Sequence, residues 1–84
     1  MGPLLGIENI FGAWLKETRV QLGLTQDDLA ERMDVAQSTV SGWETGRRGY
    51  NSDNWNNALR AFGVEQDFAL QAMAAIALRM RKAF

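Results

Sequence analysis

Apolar positions along the chain recur at three- and four-residue steps almost throughout, and no stretch alternates with the period of two that a half-buried strand requires. Five helices follow from this pattern. The first, α1, is predicted from about Ile7 to Leu22, where Phe11, Leu15 and Leu22, with Trp14 and Thr18 beside them, make one stripe. Gly23 stands where a left-handed cap belongs, because glycine takes positive φ without a Cβ clash. The second helix, α2, starts at once: Thr25 serves as N-cap, Asp28 lies three residues on, and Leu29, Ala30 and Met33 form its buried face. Asp34, in the short turn that follows, tolerates positive φ better than most residues. A third helix, α3, is predicted from about Gln37 to Thr45 and ends at Gly46; Arg47-Arg48-Gly49-Tyr50-Asn51 is then a polar loop. The fourth, α4, runs from about Asp53 to Phe62, with Ser52 as N-cap, Trp55, Leu59 and Phe62 on one face, and Gly63 closing it.

The last helix, α5, predicted over about 66–83, has apolar residues on two sides. Ala69, Ala72, Met73, Ile76 and Met80 form one face; Leu70, Ala74, Ala77 and Leu78 lie on another. A helix that is apolar on two sides needs a cover on both, and one small core supplies only one. The second face is therefore a candidate dimer interface. Arg79, Arg81 and Lys82 sit in its last turns, where cations complement the helix dipole. The fold class is all-α, a compact five-helix domain over residues 1–84.

Composition narrows the chemistry. The 84 residues contain no histidine and no cysteine, so there is no disulfide framework, no zinc site of the usual kind and no imidazole or thiol nucleophile. No metal or cofactor is expected. Asp27 and Asp28 form a pair of carboxylates, but no acid–base partner or glycine-rich phosphate loop accompanies them, so the chain is not expected to be an enzyme. Met1 to Glu8 lacks the basic start of an export signal, and the most apolar stretch, the 13 residues from Phe68 to Met80, falls short of the ~20 that span a bilayer. A soluble, cytoplasmic chain without membrane contact is expected. Nine Lys+Arg against ten Asp+Glu give a net charge of −1, which opposes non-specific coating of nucleic acid.

The stretch from Leu24 to Gly46 joins two short amphipathic helices through a three- to four-residue turn. Ala30 gives such a tight crossing the small residue it needs, Val35 fills the turn, and Val40 and Trp43 anchor α3. Gln37, Ser38, Ser41 and Gly42 are left on the outer face of α3, and glutamine can bridge N6 and N7 of adenine. Arg19, Gly23-Leu24-Thr25-Gln26, Leu29-Ala30, Val35, Ser38-Thr39-Val40-Ser41, Trp43-Glu44-x-Gly46-Arg47 and Leu59-Arg60-Ala61-Phe62-Gly63-Val64 complete a longer pattern. From about Phe11 to Val64 the chain resembles the phage-repressor and Cro (XRE-like) helix-turn-helix family, in spacing as well as in residue type.

That resemblance implies a lambda-repressor-like fold and a sequence-specific regulator, by default a repressor, that binds double-stranded operator DNA as a homodimer. It implies that Gln37, Ser38 and Ser41 meet base edges in the major groove. Gln26, at the start of α2, would touch the DNA backbone and brace the base-reading side chain. Thr39, Arg47, Arg48, Tyr50 and Asn51 would complete the backbone contacts. Arg19 and Glu44 would form a buried ion pair tying α1 to the end of α3. Dimerisation through Leu70, Ala74, Ala77 and Leu78 would set two recognition helices about 34 Å apart, in successive major grooves.

Two positions depart from the family pattern. Ala36 replaces the usual Ser or Thr cap of α3, and Gly42 either removes a contact or makes room for close approach of DNA or of α2. With the acidic balance, Gly42 keeps an alternative open: a protein-interaction module of the same fold, an antirepressor or an antitoxin, with its protein partner on α5. The acids cluster at Asp27, Asp28, Glu31 and Asp34 and at Glu65 and Asp67, while Arg47 and Arg48 lie beside the outer face of α3. Few phosphate contacts per subunit are therefore expected, and useful occupancy would require two subunits.

Overall fold

A computed structural model describes residues 7–82, with side chains for residues 9–81. The expectations about Met1 to Gly6 and about the last two residues of the chain fall outside the described part. Five helices appear in the anticipated order: α1 Ile7–Gln21, α2 Gln26–Met33, α3 Gln37–Glu44, α4 Ser52–Phe62 and α5 Gln66–Lys82. Among the described residues there is no strand. The helix α1 is the central member and packs against α3, α5 and α4, while α2 packs against α3 and α4.

The turns follow from local chemistry. Thr25 caps α2 in a capping box: its hydroxyl accepts from the Asp28 N–H at 3.0 Å, and the Asp28 carboxylate accepts from the Thr25 N–H at 2.8 Å. That second bond, then the hydroxyl contact, holds the Asp28 carboxyl below its ordinary value. Asp34 closes the helix at φ 59°, the left-handed conformation expected of it. Gly23, Gly46 and Gly63 also take positive φ.

Two expectations are corrected. Asn51, not Ser52, caps α4: Ser52 is already helical, and the Asn51 carboxamide oxygen accepts from the Asn54 N–H at 2.8 Å. An asparagine one position earlier satisfies the third amide of the helix directly. Leu22 does not extend the core stripe of α1 but is 50% exposed. The helix ends at Gln21 and the chain reverses at Gly23, so Leu24 packs against the core instead.

Aromatic rings run through the centre of the core, among aliphatic residues such as Leu15, Leu29 and Val40. Phe11, Trp14, Trp43, Trp55 and Phe62 are all buried. Phe11 meets Trp43 edge-on at 6.1 Å between ring centroids, and Trp14 meets Phe62 at 5.4 Å. Each such pair adds about 0.5–1.5 kcal/mol beyond its buried area. Ala69, Met73 and Ile76 of α5 close this core from one side, with Ala72 and Met80 half-buried beside them, as the pattern predicted. On the second face of α5, Leu70 and Leu78 are exposed, as is Ala74, and Ala77 is half-buried. Phe68, in the first turn of α5, is 65% exposed and adds to the apolar surface of the helix.

Ala30 is buried where α2 packs on α3, as expected, and a second close approach involves Gly12. A Cβ on Gly12 would collide with the carbonyl oxygen of Trp43, so α1 and α3 meet backbone to backbone. Glycine inside a helix costs about 1 kcal/mol against alanine, and here it permits the crossing on which the placement of α3 depends. Gly12→Ala is expected to destabilise by at least the 1–3 kcal/mol typical of overpacking. Thermal unfolding should then fall by about 4–8 °C per kcal/mol lost. An unchanged midpoint would show that the crossing relaxes freely.

The capping box gives a second expectation. Because the Asp28 carboxyl is lowered by bonds that exist only in the folded chain, its contribution is complete above the ordinary aspartate range. It is lost as pH falls through the lowered value. Asp28→Ala should flatten the acid limb of the stability–pH curve, measured by denaturant titration from neutral pH downward.

Candidate nucleic-acid interface

Glu44, at the end of α3, is the polar centre from which the outer face is built. Its carboxylate takes two bonds from Arg19 of α1, from Nε at 2.7 Å and from Nη2 at 3.1 Å. The side chains are 12% and 3% exposed, Arg19 and Glu44 respectively, so this is a nearly dry ion pair. The third arm of Arg19, Nη1, donates to the carbonyl of Leu24 at 2.9 Å, just before α2 begins. The guanidinium is held above its ordinary value, chiefly by its hydrogen bond to Glu44, and stays charged. One cation thus joins α1, the entry to α2 and the end of α3.

The network continues to the surface. Gln26, the first residue of α2, donates its amide N–H to Glu44 at 3.0 Å. A carboxylate only accepts hydrogen bonds, so Glu44 fixes which end of the Gln26 amide faces it. The Gln26 oxygen then points outward and accepts from the amide nitrogen of Gln37, the first residue of α3. Gln37 is exposed and keeps an oxygen acceptor and one N–H for a ligand, the pair that matches the N6 and N7 edge of adenine. Gln26 and Gln37, expected to act together, are brought together. The route that joins them to the ion pair was not foreseen.

The other expected residues are distributed around this pair. Ser38 is exposed, while Thr39 and Ser41 are half-buried on α3. Ala36 caps α3 without a side-chain bond, as its identity requires. Arg47 is exposed and held by a bond from its Nε to the Thr45 hydroxyl at 3.1 Å; that hydroxyl donates in turn to the carbonyl of Ser41 at 3.0 Å. The ring of Tyr50 is half-buried against Phe11, at 5.2 Å between centroids, and Trp55, at 6.3 Å, so it fastens the loop to the core. The Asn51 oxygen is occupied by its cap of α4, which leaves its two amide N–H donors.

Gly42 departs from expectation. It is buried, not an open gap on the outer face of α3. The stem of Arg48 folds back across it: a Cβ at Gly42 would lie 2.7 Å from the Arg48 Cγ and 2.8 Å from its Cδ. The space is filled by the chain itself, neither by α2 nor held open for DNA. Nothing in the sequence pairs residues 42 and 48 except a glycine on a contact face followed by a long side chain in the next loop.

Among the described residues, no group of His, Cys, Asp or Glu could hold a metal ion, and no helix is long and apolar enough to cross a membrane. The tight α2–turn–α3 unit, with two glutamines joined at its face and two arginines at its flank, defines a DNA-binding helix-turn-helix domain. A helix-turn-helix family model matches residues 15–65, and the chain belongs to this XRE-type family of DNA-binding transcription regulators. Among solved structures, the clp gene regulator ClgR from Corynebacterium glutamicum superposes with a TM-score of 0.84 at 26% identity, over 99% of this chain and 86% of that one. The restriction-modification controller protein C.Esp1396I superposes at 0.82 with 20% identity, over 94% and 99%. The tetramer of that controller in complex with its natural 35-base-pair operator superposes at 0.80, again with 20% identity, over 93% and 99%. No protein with a curated description matches the sequence significantly.

The ion pair yields a direct test. Arg19→Met or Glu44→Leu alone strands a charge in a nearly dry site and should cost about 3–5 kcal/mol in denaturant unfolding. The double replacement should recover most of that loss. Single losses below about 1 kcal/mol would place the pair with ordinary surface ion pairs.

Proposed function

We propose that this chain is a transcription regulator that binds operator DNA as a homodimer, with α3 in the major groove, and represses by occupying the operator. The observation that carries the proposal is the fixed orientation of Gln37, which the Gln26–Glu44–Arg19 network holds ready for a base edge. Ser38 and Ser41 read beside it. Gln26, Thr39, Arg47, Tyr50 and Asn51 face the phosphates on either flank. The relatives support this direction: one similar structure is a clp gene regulator, and another is a controller protein crystallised as a tetramer on its operator.

The whole chain acts as one binding domain, in the cytoplasm where the DNA is. The second copy sits on the exposed face of α5, through Leu70, Ala74, Ala77 and Leu78. A dimer is also what the charge requires. With a net charge of −1 and two arginines at the flank, one subunit neutralises few phosphates, and each contributes only about 0.9 to the salt slope. The same exposed face of α5 favours one other reading, in which that face holds a protein partner and DNA binding is weak.

A fluorescence anisotropy titration against the DNA upstream of the chain's own gene, at several salt concentrations, separates the two readings. Preference for one operator sequence with a clear salt slope is expected; no binding at low salt would overturn the proposal. Gln37→Ala should cost about 1–3 kcal/mol at one base pair and little elsewhere. Leu78→Glu should shift the sedimentation mass to that of a monomer and weaken the operator complex, whereas an unchanged mass would exclude that face as the dimer contact.

A further inference from the structure

The return of Arg48 across α3 points to a role unlike that of its neighbour. Gly42 lies four residues after Ser38, and residues four apart on a helix share a face. That face carries Ser38, the exposed side chain next to Gln37. At Gly42 the helix supplies no side chain of its own, and the stem of Arg48 lies over the bare position, with Cγ, Cδ and Nε all within 3.2 Å of the missing Cβ. The backbone holds the arrangement, because the Arg48 N–H donates to the Gly42 carbonyl at 3.1 Å. The two arginines of the loop therefore differ. Arg47 is tied by its Nε to Thr45 at the end of α3. Arg48 lies along α3 itself, is exposed, and forms no ion pair among the described residues.

The geometry points to Arg48 as a groove-facing member of the recognition surface, a base reader for guanine, seated on α3 by the absence of a side chain at Gly42. The guanidinium is a planar fork that donates two parallel bonds, and guanine offers two acceptors, O6 and N7, on its major-groove edge. Gln37, with one acceptor and one donor, suits adenine. The two side chains would thus read different base pairs from one helix face. This assignment rests on the operator-binding function proposed above.

The test uses the full chain with a panel of operators, each changed at one base pair, and the variants Arg48→Ala, Arg48→Lys and Gly42→Ala. Arg48→Ala should lower operator affinity about tenfold to a hundredfold and abolish discrimination at one G·C pair. Arg48→Lys keeps the charge but lacks the fork, so it should not restore that discrimination. Gly42→Ala displaces the stem and should reduce the same discrimination, while its thermal midpoint stays at or above that of the parent chain because alanine is the better helix former. In the Arg48→Ala background, Gly42→Ala should change the profile no further.

An equal loss on every sequence for Arg48→Ala, or full rescue by Arg48→Lys, would overturn the assignment and return Arg48 to the phosphates. An unaltered profile for Gly42→Ala would overturn the seating role. These results are distinct from a failure of the function itself. In that case the parent chain would show no operator preference, whereas here the parent discriminates and only the response at residues 42 and 48 decides.

Discussion

The carboxylate of Glu44 is where the architecture and the recognition surface become one problem. Placing it in a nearly dry site is costly unless its lone pairs are occupied, and three donors occupy them: two from Arg19 and one from Gln26. Arg19 reaches it only if α1 runs close beside α3, and its third arm needs the Leu24 carbonyl, which sets the entry to α2. Gln26 reaches it only if α2 begins where the Thr25 capping box starts it. The positions of three helices are thereby coupled to one charge. Because that charge can only accept, the coupling also sets the direction of every bond out to Gln37.

The aromatic core and the Gly12 crossing supply what that charge cannot. Large rings fill the space between short helices, where aliphatic side chains would need more positions to bury the same area. Small domains bury only a modest fraction of their surface, and five helices of 8 to 17 residues leave few core positions each. The zero-side-chain contact at Gly12 lets α1 and α3 approach until Phe11 can meet Trp43. Tyr50 extends the same cluster into the loop before α4, so the flank that carries Arg47 and Arg48 is anchored by packing rather than left to the loop's own preferences.

Helix order, the capping box, the left-handed Asp34 and the inner face of α5 were legible because each depends on neighbours in sequence or on a 3.6-residue period. The Arg19–Glu44 pair was legible through family resemblance alone; 25 residues separate its members, and no local rule joins them. What escaped is of one kind. The Gly12 contact, the folding of Arg48 over Gly42 and the link from Glu44 through Gln26 are tertiary contacts in which one partner is a glycine or an amide, residues whose patterns are compatible with many environments. Leu22 and Ser52 failed for a smaller reason. Each lies within a residue of a helix end, where the turn and not the period decides exposure.

A chain of net charge −1 cannot rely on a broad positive surface to hold DNA, so its recognition must come from well-placed polar groups. The structure holds polar groups of that kind at α2, α3 and the following loop, and the proposed operator reading relies on them. The Gln26–Gln37 pair is held before any ligand arrives, and Arg47 and the Arg48 stem are each seated by a specific partner in the protein. Side chains already fixed lose less rotamer entropy on binding, roughly 0.5–1.5 kcal/mol for each that would otherwise be immobilised. A surface that gains little from counterion release benefits most from this saving. In the proposed regulator, weak general attraction and a rigid reading face would therefore be complementary properties: together they would lower the affinity for arbitrary DNA while keeping the affinity for the matching edge.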